Sequence, residues 1–143
     1  MSFVYEHEVH VRYAETDQMG VVYHANYLPY LEEGRTRMMA SMGHPYHLME
    51  RAGVALVVRK AELRYRASAR YGDCLLVRTR PTRVGGASIE YSYEVLNRED
   101  ERVLVTAVTE LACVDLTDPA RRPRMLPDDV RKSLEETLDP TRG

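Results

Sequence analysis

Residues 13–27, Tyr13-Ala14-Glu15-Thr16-Asp17-Gln18-Met19-Gly20-Val21-Val22-Tyr23-His24-Ala25-Asn26-Tyr27, hold the densest set of reactive groups in the chain. Two carboxylates, Glu15 and Asp17, precede His24, which Tyr23 and Tyr27 flank. Gly20 can take a positive φ or let a ligand approach the backbone. The stretch runs directly into a helical pattern, and the first N–H groups of a helix are unpaired and carry the positive end of its dipole. A carbonyl oxygen held there is polarised, and an oxyanion developing on it is stabilised further. A carboxylate one loop-width away can attack the carbonyl carbon or take a proton from water. That chemistry suits acyl transfer or thioester hydrolysis. The residues by themselves also allow a plainer reading, in which Thr16 and Asp17 cap a turn and His24 packs against a neighbour.

The surrounding elements follow from the period of the apolar residues. Tyr5, His7, Val9, Val11 and Tyr13 alternate with polar residues, which predicts a strand over 5–13. Tyr27, Leu31, Gly34, Met38 and Met42 fall at helical spacing, with Asn26 as side-chain N-cap, Pro29 in the first turn and Gly43 at the stop. A helix of about 17 residues is about 25 Å long, enough to cross a sheet. A short helix is expected over 45–52, ending at Gly53. Strands are then expected over 60–67, 75–80, 89–95 and 103–114, with a hairpin at Gly85-Gly86 and a polar turn at 97–101. A linker over 119–127 leads to a terminal helix over 128–138, with Leu134 and Leu138 on one side. Short connections between the late strands imply antiparallel pairing. The predicted class is α+β, a mainly antiparallel curled sheet wrapped around one long central helix, in a single domain over 1–143. The sheet's other face is expected to carry Arg and Glu with scattered Leu76, Leu96 and Leu104. One helix cannot cover every apolar surface of such a sheet, so a homo-oligomer is expected.

Composition narrows the partners. The chain has 143 residues, 44% hydrophobic and 29% charged, enough for one core without disulfide or metal staples. Lys+Arg 20 against Asp+Glu 22 gives a net charge of −2, so no basic field favours nucleic acid. No apolar run approaches the ~20 residues of a membrane span, and the charged start Met1-Ser2-Phe3-Val4-Tyr5-Glu6 lacks a secretory pattern, so the cytoplasm is expected. Cys74 and Cys113 make no paired motif and read as small buried hydrophobes. The five histidines show no H-E-x-x-H or paired ligand spacing, and no metal site is expected.

The run Asp17-Gln18-Met19-Gly20-Val21-Val22-Tyr23-His24-Ala25-Asn26-Tyr27, followed by Tyr30-Leu31-Glu32-Glu33-Gly34-Arg35, resembles the signature of hotdog-fold acyl-CoA thioesterases, most of all the 4-hydroxybenzoyl-CoA thioesterase-like, YbgC-type branch. The resemblance extends over nearly the whole chain to about residue 118. It implies a hotdog fold and an acyl-CoA thioesterase that releases free acid and CoA. Asp17 matches the catalytic carboxylate, as nucleophile or as general base on water. The backbone N–H groups near Tyr23 and His24 match the oxyanion position. Tyr23, His24 and Asn26 match side chains that shape the site and hold the loop, with Tyr23 and His24 at the reacting centre and His24 orienting the loop by a hydrogen bond or taking part directly, and Gly20, Val21, Val22, Asn26 and Tyr27 match residues of the substrate site. No cofactor is implied, since CoA is part of the substrate. An acyl-carrier protein is a possible alternative carrier, and a tetramer of two dimers is the assembly the resemblance favours.

Glu32, on the central helix, occupies a place where other hotdog branches carry their carboxylate; it is read here as an ion-pair partner of Arg35 or a neighbouring strand. Glu15 is read as a solvated turn residue. Gly34 is read as allowing close packing of helix on sheet. Arg59 and Lys60 are the first candidates for the CoA phosphates, within a basic stretch over 59–83, and Arg121, Arg122 and Arg124 form a second cluster. Met38, Met39, Met42 and Met49 suit an adaptable acyl pocket or plain core, and Tyr46, His47 and Leu48 can cap its end. The competing functions are a hotdog dehydratase and a non-catalytic module that binds an acyl group, a lipid or an acyl-carrier protein.

Overall fold

The computed structural model describes residues 3–138. Alternating residues build β1, Tyr5–His10, whose Val9 is buried while Glu6, Glu8 and His10 face out. The strand ends earlier than its alternation suggests. At Val11 the backbone turns away to donate to Asp73 O, and the Glu15 carboxylate accepts the Arg12 N–H (2.8 Å), closing a 3-10 turn over Tyr13–Glu15. A carboxylate three residues on from an extended residue is a capping signal, and it outweighs the alternation.

A second 3-10 turn, His24–Asn26, leads into α1, Tyr27–Ser41. Its buried residues, Tyr27, Tyr30, Leu31, Gly34, Arg35, Met38 and Met39, form a continuous stripe. Leu31, Met38 and Met39 are fully buried, each contributing about 1.5–3 kcal/mol. The helix lies close on the sheet at Gly34, where a Cβ would stand 2.7 Å from Thr79 Oγ1 and 2.8 Å from Val77 Cγ1. Gly43, with φ +88, ends the helical region, and α2 follows over Tyr46–Arg51.

The remaining strands are β2 (Val54–Tyr65), β3 (Cys74–Val84), β4 (Ser88–Asn97) and β5 (Val103–Asp115). The sheet order is β1-β3-β4-β5-β2, antiparallel throughout. β2 begins six residues before the expected start because Val54-Ala55-Leu56-Val57-Val58 is a continuous apolar run with no alternation to mark it. It also carries a register shift between Val58 and Lys60, and it ends the sheet, with most of its residues exposed.

The core lies between α1 and the concave sheet face, around Leu75, Val77, Tyr91, Val95, Val105 and Leu111. Leu104 belongs to this core rather than to the outer face. A register shift beside Leu96 pairs Val95 with Val105 and Leu96 with Val103, leaving Leu104 unpaired and fully buried. Leu96 is buried too, and Leu76 is half-buried. The linker returns along β5 through a bridge between Val114 and Pro123. The terminal α3, Asp128–Glu136, adds Val130 and Leu134 to the same core. Residues 139–143 of the expected C-terminal segment lie outside the described residues. Cys113 is buried, as expected. Cys74 is half-buried, and its thiol donates to Glu8 at 3.1 Å.

Candidate active site

An isolated bridge between Thr16 and Val22 closes the Asp17 loop as a tight hairpin. Within it Asp17 N–H donates to Val21 O, and Gly20 N–H donates to Asp17 O (2.9 Å each). Gly20 has φ +79, a conformation that needs glycine here. One carboxylate oxygen of Asp17, Oδ1, accepts the Met19 N–H at 2.8 Å, which fixes the side chain's direction. Its second oxygen has no hydrogen bond among the described residues. Val22 N–H donates to Ala69 O and Val21 bridges Arg70, so the hairpin is stitched to the segment after β2.

Glu15 ties this hairpin to the helix start. Its main-chain oxygen accepts from Tyr23 N–H (3.0 Å) and Asn26 Nδ2 (2.9 Å). Its carboxylate accepts from Arg12 N–H and from the Tyr30 hydroxyl (2.9 Å). Glu15 is therefore not the solvated turn residue that its local sequence suggests. Its side chain is 16% exposed and faces a buried tyrosine fifteen residues on. No local pattern reveals that pairing. Asn26 does not cap the helix with its side chain either; its amide is spent on Glu15 O, and its backbone is already helical.

Consequently Tyr23 N–H is occupied. The next N–H groups, of His24 and Ala25, open the 3-10 turn and have no acceptor among the described residues. They are the donors available to an oxyanion. The His24 main-chain oxygen accepts from Tyr65 OH (3.0 Å), which steadies the turn. The Tyr23 and His24 rings pack at 4.5 Å, and both residues are exposed. Val22 and Tyr27 are buried and support the loop from below. Burial pushes the Tyr27 phenol up from its ordinary range. Asp17, Gly20, Val21, Tyr23, His24 and Asn26 thus come together in one braced unit.

Arg59 and Lys60 stand apart on exposed β2, and Arg59 is paired with Glu110 at 2.5 Å. Glu32 and Arg35 do not pair. Glu32 is exposed along a groove of about 700 Å³ between β1 and α1, which Asp17 does not line. Arg35 is buried, and its Nε has no partner among the described residues. Met38, Met39 and Met49 are buried and Met42 half-buried against the core. A group of metal-type ligands, Glu8, His10 and Cys74, lies on the outer sheet face, where Glu8 also accepts from Arg98 at 3.3 Å.

The fold and this loop define a hotdog protein of the thioesterase kind. The family model described as the thioesterase-like superfamily matches residues 11–134, and the chain belongs to that family. It is 40% identical over 108 residues to the putative acyl-CoA thioesterase YneP of Bacillus subtilis, covering 76% of this chain and 78% of that one. It is 36% identical over 123 residues to the acyl-CoA thioester hydrolase YbgC of Escherichia coli, covering 85% and 89%. A solved 1,4-dihydroxy-2-naphthoyl-CoA thioesterase from Synechocystis superposes with a TM-score of 0.85 at 27% identity, covering 94% and 97%. The hotdog resemblance of residues 17–35 is thereby borne out.

Proposed function

We propose that this chain hydrolyses acyl-CoA thioesters, with Asp17 as the catalytic carboxylate. The observation that carries the reading is the brace at Glu15. One main-chain oxygen holds both Tyr23 N–H and Asn26 Nδ2, so the Asp17 hairpin and the open N–H groups of His24 and Ala25 keep a fixed relation. The thioester carbonyl oxygen takes those N–H groups, and charge developing on it is stabilised without reorganisation. As general base, Asp17 accepts a proton from water while the water oxygen bonds to the carbonyl carbon. The tetrahedral intermediate then collapses, the C–S bond breaks, and the CoA sulfur leaves as thiolate and takes up a proton. As nucleophile, Asp17 displaces the thiolate itself and forms an anhydride that water opens. Tyr23 and His24 shape the mouth of the site. No separate cofactor enters either route.

The same reading includes a second copy of the chain. β2 is long, ends the sheet and exposes Val57 (44%), Val58 (47%) and Tyr65 (50%). An exposed apolar edge of this kind is stabilised by pairing with another strand, and Tyr65 joins it to His24. A homo-oligomer paired there, built up as a tetramer of two dimers in the cytoplasm, completes the proposal. Acyl-CoA is the favoured substrate, with an acyl-carrier protein as the alternative carrier. Thiol release from a panel of short, long, branched and aromatic acyl-CoAs tests the activity. Release from none of them favours the carrier- or lipid-binding module. Sedimentation tests the assembly, with a monomer as the contrary result.

A further inference from the structure

β1 carries Glu8 and His10 on one face, two residues apart, and the ladder sets Cys74 of β3 directly opposite His10. Their ligating atoms converge. Glu8 Oε1 lies 3.3 Å from His10 Nε2 and 3.1 Å from Cys74 Sγ, and the ligating atoms of all three residues fall within 4.8 Å of one another. Histidine spacing hides this group, because its thiol stands 66 residues beyond Glu8. The set lies on the outer sheet face, outside the catalytic hairpin, and takes no part in the hydrolysis described above.

We propose that Glu8, His10 and Cys74 bind a zinc-like divalent cation that staples β1 to β3. Thiolate, imidazole and carboxylate are the ligand types of zinc, whereas magnesium and calcium take oxygen alone. Zinc bonds of about 2.0–2.3 Å set the corners of a tetrahedron about 3.3–3.6 Å apart. The Glu8–His10 separation already matches, and the Glu8–Cys74 separation opens by about 0.4 Å once the bridging thiol proton leaves. That proton goes to solvent as the sulfur–metal bond forms, and water takes the fourth position. His10 is 72% exposed, so its ring turns to the cation without disturbing the core. Arg98 is the opposing charge: its Nη1 stands 3.3 Å from the same Glu8 oxygen, an exposed contact that is cheap to displace. The contacts by themselves also suit a carboxylate shared by three donors, and cation binding separates the two roles. The position gives the cation a use. β1 is an edge strand held by β3 alone, and His10–Cys74 is its last pair before the chain turns toward the Asp17 hairpin. A cation there closes the open end of the ladder.

Cobalt(II) is the probe, because a thiolate ligand adds an intense near-ultraviolet charge-transfer band to the visible bands of a tetrahedral site. Titrated into the full chain, it is expected to give the thiolate band in wild type and in Cys113→Ala, and to lose it in Cys74→Ser. The Kd for zinc, measured by competition, weakens more than about tenfold in His10→Ala and in Glu8→Gln, each of which removes one ligand. It tightens about threefold in Arg98→Ala, where the opposing charge is gone. Zinc at about 100 times its Kd raises the Tm of wild type by several degrees, and that of His10→Ala much less. Circular dichroism checks that each variant is folded. The site is overturned if wild type gives no thiolate band, or if the band survives Cys74→Ser. Visible bands without a thiolate band mean an adventitious histidine complex and overturn it too. Hydrolysis at Asp17 stands under each of these results.

Discussion

The hydroxyl of Tyr30, a buried residue in the first turn of α1, donates a 2.9 Å hydrogen bond to the carboxylate of Glu15. Through that bond the helix holds the residue whose main-chain oxygen fixes Tyr23 and Asn26. Glu15 is a positioning residue, two places before the carboxylate it serves. In Glu15→Gln and Tyr30→Phe, kcat is expected to fall about tenfold, the effect of a slight misplacement of the reacting groups. KM for the CoA ester is expected to stay near wild type, because both side chains act on each other and on the loop, not on the substrate. A KM change at constant kcat contradicts this role.

Buried tyrosines set the alkaline limit of stability. Burial is the first cause of the raised values of Tyr27, Tyr91 and Tyr93, and of Tyr30, which the Glu15 carboxylate raises further. An unfolded tyrosine ionises near pH 10, roughly. Below that pH both states keep the proton and nothing is lost. Above it the unfolded chain loses protons first, so stability falls as pH rises toward the folded-state values. Thermal unfolding followed across this range is expected to show a level Tm that drops above about pH 10, with a gentler slope in Tyr30→Phe. An equal slope in that variant contradicts the assignment.

Gly34→Ala is expected to destabilise the fold. The added methyl meets Thr79 Oγ1 and Val77 Cγ1 inside 3 Å, and both residues are fully buried. Overpacking costs about 1–3 kcal/mol, against a gain of about 1 kcal/mol in helix propensity. A net loss of up to about 2 kcal/mol lowers Tm by several degrees. Adding Val77→Ala is expected to cost less in this background than in wild type, since the two sites touch. Strict additivity contradicts the close approach.

The C-terminal helix is part of the core. Leu134 is fully buried, and His44 Nε2 pairs with Ser133 Oγ at 2.8 Å. Leu134→Ala is expected to cost about 2–5 kcal/mol in denaturant unfolding. A cost below 1 kcal/mol, roughly that of a surface change, means that α3 is not docked.

Much of this was legible in the residues. Alternation and helical spacing gave the order of elements, and the run from Asp17 to Tyr27 gave the loop. What stayed hidden depended on contacts distant in sequence. Glu15 reads as a turn residue until Tyr30 is folded against it. The exposure of Cys74 depends on the β1–β3 pairing that sets it beside Glu8. Leu104 turns inward because of a register shift that alternation cannot show. The Glu32–Arg35 pair looked natural at three residues' spacing, but the helix stripe buries Arg35 and leaves Glu32 outside. Arg59 and Lys60 read as two neighbours in a basic run, and only the fold shows that the register shift at Arg59 brings its guanidinium to Glu110, which lies opposite Lys60.

The most direct measurement is thiol release by wild type, Asp17→Asn and Glu32→Gln with the best acyl-CoA of the panel. The account predicts a loss of about 10²–10⁴-fold in kcat for Asp17→Asn, the scale of a missing catalytic base, with Glu32→Gln near wild type and both variants folded. An active Asp17→Asn beside an inactive Glu32→Gln contradicts it and moves the chemistry from the hairpin to the outer face of the helix.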